Sequence, residues 1–446
     1  MMLRKEELFM VLKKFLHALN LLEIPKHMRM TKIFPGYGLF LLFYSLGLSF
    51  MNGQSDRIPQ TNVSFTKIQL LDKYVTEGAS IGDLDMDGQV DVIAGPVWWK
   101  GPGFKEVFAY APVKHFPITG PNLEGYSDNF FTFPGHFDND EYTDILRVGL
   151  PGTDSKWIKN PGKKLKQKKD SLLTPTYHNA LKGVCHESPS LINVIGDEKK
   201  ELVAFSNGYL VLGIAPTEGE RDWKILPIST KDKDKFKTYS HGLGAGDINM
   251  DGLTDILERS GWWEQPKKWD KKSPWRYHQF LFSPGTGGAQ MFGFDVDGDG
   301  DNDVVTAMNA HGYGLSWFEQ IEHEEKLGFK EHVVMTDKPE DNFYGVSFSQ
   351  LHAMTVGDID NDGVEDIVTG KCYYAHNGRD PGAEDPAVLY WFKTLRLPDG
   401  TVELVPYIID DDSGVGRQIS TGDLNDDGKI DIVVGNKKGV FIFMQN

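Results

Sequence analysis

Gly82-Asp83-Leu84-Asp85-Met86-Asp87-Gly88-Gln89-Val90-Asp91, followed by Val92-Ile93-Ala94-Gly95, is the stretch that decides the fold. Acidic residues stand at positions 1, 3, 5 and 9 of a tight loop, with Gly88 at position 6 and a β-branched run behind. Carboxylates so spaced around a glycine can wrap one hard cation in oxygen ligands, and the carbonyl of Gln89 at position 7 can add another. The stretch reads as a calcium loop feeding a strand.

The pattern returns as Asp247, Asn249, Asp251 and Asp255; as Asp295, Asp297, Asp299 and Asp303; as Asp358, Asp360, Asp362 and Asp366; and as Asp423, Asn425, Asp427 and Asp431. Two worn copies fill the gaps: Gly135-His136-Phe137-Asp138-Asn139-Asp140 leading to Asp144, and the shortened Gly196-Asp197-Glu198 ending at Glu201. The closing acidic residues 91, 144, 201, 255, 303, 366 and 431 lie 53, 57, 54, 48, 63 and 65 positions apart, which makes seven repeats. An EF-hand is disfavoured, because that loop needs a bidentate Glu at position 12 and helices on both sides, whereas position 12 is Ala94, Thr306, Thr369 or Val434, with Glu258 in one repeat, and Ile, Val and Leu follow the loop.

A repeat of this length holding several short strands predicts an all-β protein, a seven-bladed β-propeller with calcium loops between the first and second strands of most blades. Third strands carry Trp98-Trp99, Trp157, Trp262-Trp263, Trp317-Phe318 and Trp391-Phe392, which read as blade core. Fourth strands fall at Phe104 to Phe108, Trp223 to Ile228, Trp275 to Phe280, Phe329 to Val334 and Glu403 to Ile409. The seventh repeat runs out at Phe441 to Met444, its third strand, so Phe65 to Leu70 is predicted to complete blade seven and close the ring.

With 446 residues, 12% aromatics and 48 Gly, the chain can bury a large core and make many turns. The formal charge of -17 argues against a nucleic-acid partner, yet 18 Asp occupy ligand positions in the five intact loops, so the acidity is mostly ligand. Residues 1–53 read as a leader whose apolar core, about 34–50, follows Arg29 and Lys32 and suits a secretory signal. Residues 54–446 read as one propeller with no membrane span, exported to the periplasm or beyond the cell. Cys185 and Cys372 read as two buried thiols, and the lysine run 162–170 as a solvated connection.

If each first strand runs into its loop, the loops share one face of the ring and the strand starts share the other. Five residues before the first loop Gly, or before Phe294 in the fifth repeat, stand Glu77, Phe130, Leu191, His241, Ala289, His352 and Arg417. Connections after second strands open on the same face, bringing Asn309, His311 and Tyr313 from the fifth repeat and His376, Arg379 and Asp380 from the sixth; His186 and Glu187 precede the first strand of the third. Imidazoles gathered with carboxylates at one mouth suit zinc or another divalent transition metal together with an oxygen-rich ligand such as a sugar or glycan. The plainer alternative is that single histidines cap strands or bond to loops.

The Asp-rich repeats resemble FG-GAP/VCBS-type propeller repeats over nearly all of residues 54–446. More narrowly, His186-Glu187-Ser188-Pro189, His241-Gly242-Leu243-Gly244 with Gly261-Trp262-Trp263-Glu264-Gln265-Pro266, Gly287-Gly288-Ala289-Gln290-Met291 and Ala310-His311-Gly312-Tyr313-Gly314-Leu315-Ser316-Trp317 resemble the propeller domain of the aldos-2-ulose dehydratase group. That resemblance implies a metal-dependent carbon–oxygen lyase eliminating water from a keto-sugar such as 1,5-anhydrofructose. Carried onto these positions, it implies metal binding by His186, His241 and His311, acid–base work by His352 or Tyr313, and substrate anchoring by Glu187, Arg417, Glu77 and Arg379. The fungal members carry cupin domains after the propeller and this sequence ends at Asn446, so their isomerase step is not expected here. Two readings compete: a non-catalytic carbohydrate- or protein-binding propeller, and a polysaccharide lyase in which Arg and His neutralise a uronate.

Overall fold

A computed structural model describes residues 58–120, 124–138, 140–162, 175–197, 199–216, 222–323 and 326–446. The leader expected over residues 1–53 and the lysine run after Gly162 lie outside the described residues, as do Asn139 and Glu198 of the worn loops. No helix among the described residues is long and apolar enough to cross a membrane.

Each second strand begins at a closing acidic residue. Asp91–Ala94, Asp255–Glu258, Asp303–Ala307, Asp366–Gly370 and Asp431–Asn436 are buried at every position. Such a strand is covered on both faces, and its alternate side chains serve two different neighbours. Val92 and Ala94 pack with Trp99 against Val433, Val440 and Ile442 of the seventh repeat, while Ile93 and Trp98 pack against Ile145 and Ile158 of the second. The same face-to-face contact joins the second repeat to the third through Leu146, Trp157 and Leu202, and the third to the fourth through Val203, Leu212 and Ile256. Leu257 and Val304 join the fourth to the fifth, Val305 and Ile367 the fifth to the sixth, and Val368 and Ile432 the sixth to the seventh. Sheets packed around a closed circle in this way form a β-propeller.

Among the described residues the strands assemble into five four-stranded sheets and one eight-stranded sheet, not seven separate ones. The fourth and fifth repeats merge because Leu243–Gly246 pairs in parallel with Met291–Phe294, through Gly244 to Met291 and Ala245 to Phe292. A Cβ at Gly244 would stand 1.8 Å from the Met291 carbonyl oxygen, so only glycine permits this approach. At the ring's seam Phe65–Leu71 pairs antiparallel with Gly439–Gln445, Phe65 opposite Gln445, in one sheet with Asp431–Asn436 and Ile419–Gly422.

One expected fourth strand is displaced. The strand of the first repeat is Val107–Ala109 rather than 104–108, because Phe104 has φ 52 and closes a turn by donating its N–H to the Lys100 carbonyl at 2.9 Å. Trp98, Trp99, Trp157, Trp262, Trp263, Trp317 and Trp391 are buried, and both cysteines are free thiols, Cys372 buried and Cys185 partly so.

Candidate functional site

His241 and His352 sit just before the first strands of the fourth and sixth repeats, and His311 on the connection after a second strand. The ring fold carries these three segments to one place. One ring nitrogen from each of His241, His311 and His352 lies within 4.8 Å of the others. The rings meet edge to face, with centroids 4.9 Å apart for His241 and His311, 5.3 Å for His241 and His352, and 4.7 Å for His311 and His352.

His241 and His352 are 0% exposed; neither ring nitrogen of His352 nor Nδ1 of His241 has a hydrogen-bond partner, and Nε2 of His241 has the Glu187 carboxylate at 3.4 Å. A buried polar atom without a partner is costly, and such atoms beside one another fit donors aimed at a ligand. Burial holds His352 well below the ordinary histidine pKa and also lowers His311, so these imidazoles stay neutral with lone pairs available. A set of neutral imidazoles matches zinc and its divalent neighbours.

His186 is not in this group. Its Nδ1 accepts the Ser188 N–H at 2.9 Å and its ring stands edge-on to Phe205 at 4.3 Å. His352, which the sequence reading gave acid–base work, takes the third corner instead. Residues in a strand-start position face inward as a class, and the dihedral turn of His186-Glu187-Ser188 cannot be read from spacing.

Glu187 and Arg417 are buried beside the triplet. Arg417 is 1% exposed; its Nε donates to Glu187 Oε2 at 3.0 Å and its Nη1 to Cys372 Sγ at 2.7 Å. Glu187 Oε2 also stands 3.4 Å from His241 Nε2. Burial pushes the Glu187 carboxyl up, but His241 and Arg417 outweigh it and hold the group well below the usual range. Glu77 is buried too, accepting the Tyr74 hydroxyl. Three of the four residues assigned to substrate anchoring are thus wrapped in protein, and their geometry is that of a charged support. Arg379 alone is exposed, its Nε donating to the His376 carbonyl at 2.9 Å. Tyr313 is half-buried against the connection after Gly370, its hydroxyl 2.7 Å from where a Cβ on Gly382 would lie.

Two neighbours escaped assignment. Asp380 Oδ1 is 3.0 Å from His376 Nδ1, and its Oδ2 is 3.4 Å from His311 Nδ1. The i, i+4 spacing of His376 and Asp380 was the available signal, but their loop has no strand register to aim it.

The acidic loops have the expected local form. The position-6 amides of Gly88, Gly252, Gly363 and Gly428 donate to the position-1 carboxylates of Asp83, Asp247, Asp358 and Asp423 at 2.7–2.8 Å. The closing carboxylates, which the sequence assigns to the cation, act first as staples. Asp91 accepts the N–H of Leu84 and of Gly101, both at 2.9 Å, and Asp366 those of Ile359 and Thr394 at 3.2 and 2.8 Å. Asp255, Asp303 and Asp431 repeat this double acceptance.

Three loops also hold a lysine. Lys100 reaches Asp85 Oδ2 at 2.6 Å and touches Asp87, Lys393 reaches Asp362 Oδ2 at 2.6 Å and touches Asp360, and Lys159 reaches Asp140 Oδ2 at 2.9 Å and touches Asp138. In the fourth and fifth repeats Glu264 and Glu319 follow the aromatic pair instead and bond His278 and His332 at 2.6 Å.

No protein-family model matches the chain, and no curated protein matches it. Similar solved structures include an Agrocybe aegerita lectin described for specific recognition of non-reducing terminal N-acetylglucosamine, with TM-score 0.39, 14% identity, and 79% of this chain and 82% of that one covered. Another is rhamnogalacturonan lyase YesW, with TM-score 0.40, 13% identity, and 87% of this chain and 75% of that one covered.

Proposed function

We propose that this chain is an exported, calcium-stabilised propeller that holds a divalent transition metal at one mouth of its channel and eliminates water from a keto-sugar of the 1,5-anhydrofructose kind. The observation that carries the reading is the convergence of His241, His311 and His352, with both ring nitrogens of His352 and Nδ1 of His241 unpartnered. Zinc bonds to nitrogen are about 2.0–2.1 Å, so the triplet reaches that geometry by small ring movements. A cation bound there supplies Lewis acidity toward a carbonyl oxygen.

The protein's own part is positional. Glu187, fixed by Arg417, sets the edge of His241. With His352 in the triplet, Tyr313 is left as the group for proton transfer beside the carbonyl. The reading takes the eight-stranded sheet as two fused blades of a seven-bladed ring and the acidic loops as resembling those of FG-GAP/VCBS-type repeats.

His241→Ala should lose about one equivalent of transition metal by elemental analysis of the purified protein, and turnover on keto-sugars with it. Turnover that survives in this variant sinks the assignment. Wild-type protein containing calcium alone would move the reading to a non-catalytic sugar-binding propeller.

Calcium in the loops has its own pH signature. Burial raises the closing carboxylates, Asp91 to about 6, Asp255 and Asp303 to about 7 and Asp366 to about 8. A raised carboxyl stabilises the calcium-free fold at low pH, and that contribution is lost as pH rises through 6 to 8. Calcium must displace these protons at pH 5, and at pH 8 chiefly the one on Asp366. The rise in melting temperature on adding calcium should therefore be larger at pH 8, each site filled to about 100 times its Kd contributing about 2.7 kcal/mol. Equal rises in scanning fluorimetry at the two pH values would count against calcium at these carboxylates. The fourth, fifth and seventh repeats, whose loops lack a lysine in this place, depend on it most.

A further inference from the structure

We propose that the mouth carries a second cation seat, formed by His311, His376 and Asp380, which shares His311 with the buried imidazole triplet. The inference rests on the metal-dependent reading above only for the inner seat; the outer one stands on its own geometry. One ligand atom from each of the three residues lies within 4.8 Å of the others. The Asp380 carboxylate lies 3.0 and 3.1 Å from His376 Nδ1 and 3.4 Å from His311 Nδ1, and the two imidazoles lie 4.3 Å apart at 32°.

Two imidazoles and one carboxylate are the donor set of a facial site, which leaves coordination positions open on the far side of the metal. All three residues are partly exposed, whereas two members of the inner triplet are buried. The open positions of the outer seat therefore face solvent, where a small oxygen-rich molecule can enter. Should His311 give Nδ1 to the outer cation, only Nε2 remains for the inner one, and a single imidazole spans both.

The backbone is bent to make this arrangement. Tyr374, His376 and Asn377 have φ of 55, 48 and 58, the left-handed region that non-glycine residues avoid. Such residues persist only where their surroundings over-determine them. Here the His376 N–H donates to the Tyr126 hydroxyl at 3.0 Å, Asn377 Nδ2 to the Gly120 carbonyl at 3.1 Å, and Lys437 Nζ to the Tyr374 carbonyl at 3.1 Å. Anchors from the stretch before the second repeat and from the seventh repeat thus pin a loop of the sixth, and its His376 and Asp380 close on His311 of the fifth.

The test uses zinc alone as the probe. Full-length protein stripped with chelator, kept in calcium and reloaded with zinc should retain two equivalents after dialysis, by elemental analysis. Asp380→Asn and His376→Gln should each retain one, and His241→Ala should keep the outer one, with circular dichroism confirming native folding. One equivalent in the wild type that both Asp380→Asn and His376→Gln retain overturns the proposal. So does one equivalent lost in all three variants, which marks a single seat. One equivalent that survives His241→Ala and disappears in Asp380→Asn supports the outer seat while removing the inner one and the function built on it.

Discussion

Glu187→Ala is expected to lower the free energy of unfolding by about 3–5 kcal/mol, the usual cost of leaving one member of a buried ion pair alone. Arg417 is 1% exposed, with its Nε on Glu187, its Nη1 on Cys372 and the ring of Phe130 5.5 Å from the guanidinium carbon. Cys372 is a poor replacement acceptor, since burial raises its thiol and keeps it neutral. The guanidinium cannot neutralise itself, so it must drag water in or distort the ring centre. Replacing both partners, Glu187→Met with Arg417→Met, should recover most of the loss, because an apolar pair of similar size avoids the desolvation of two charges. Urea denaturation followed by circular dichroism measures all three proteins. A single-variant loss below about 1 kcal/mol, the range of exposed pairs, would mean that Arg417 already reaches water.

Asp366→Ala should be nearly as damaging, and damaging even in EDTA. Its two oxygens accept the N–H groups of Ile359 and Thr394, one at the loop entry and one on the third strand. Without the carboxylate two buried amides lose their acceptor, at about 1–3 kcal/mol each. Asp360→Ala in the same loop removes a candidate ligand that bears no such staple, and in EDTA it should cost far less. Equal losses for the two variants in EDTA would show that position 9 of the loop matters only through its cation.

This contrast marks where the sequence was legible. Period and spacing placed every second strand at its closing acidic residue, because a loop locked by Asp and Gly leaves the following β-branched run one register. They also placed Phe65–Leu71 beside Gly439–Gln445, since a sheet three strands long needs its fourth from elsewhere. The same counting brought His241 and His352 to one mouth, because residues at one offset from equivalent strands are related by the ring's rotation. Spacing does not give side-chain direction off a strand. His186 turns to its own Ser188, and His376 reaches the site only through left-handed backbone at residues 374, 376 and 377. Nor does spacing give depth: Arg417 and Glu187, the expected substrate anchors, are buried in an ion pair with each other.

The seam has a temporal consequence. Thr66 Oγ1 donates to Asn446 Oδ1 at 2.7 Å across 380 residues of chain. The strand at Phe65–Leu71 therefore leaves the ribosome well before its mate at Gly439–Gln445 is made. At about 5–20 residues per second the intervening stretch takes roughly 20 to 75 seconds to synthesise. For all of that time an edge strand is bare, and every other sheet can be paired before the circle shuts. Until then the nascent ring is an open arc, and the strand at Phe65–Leu71 must be kept from foreign partners until Gly439–Gln445 arrives.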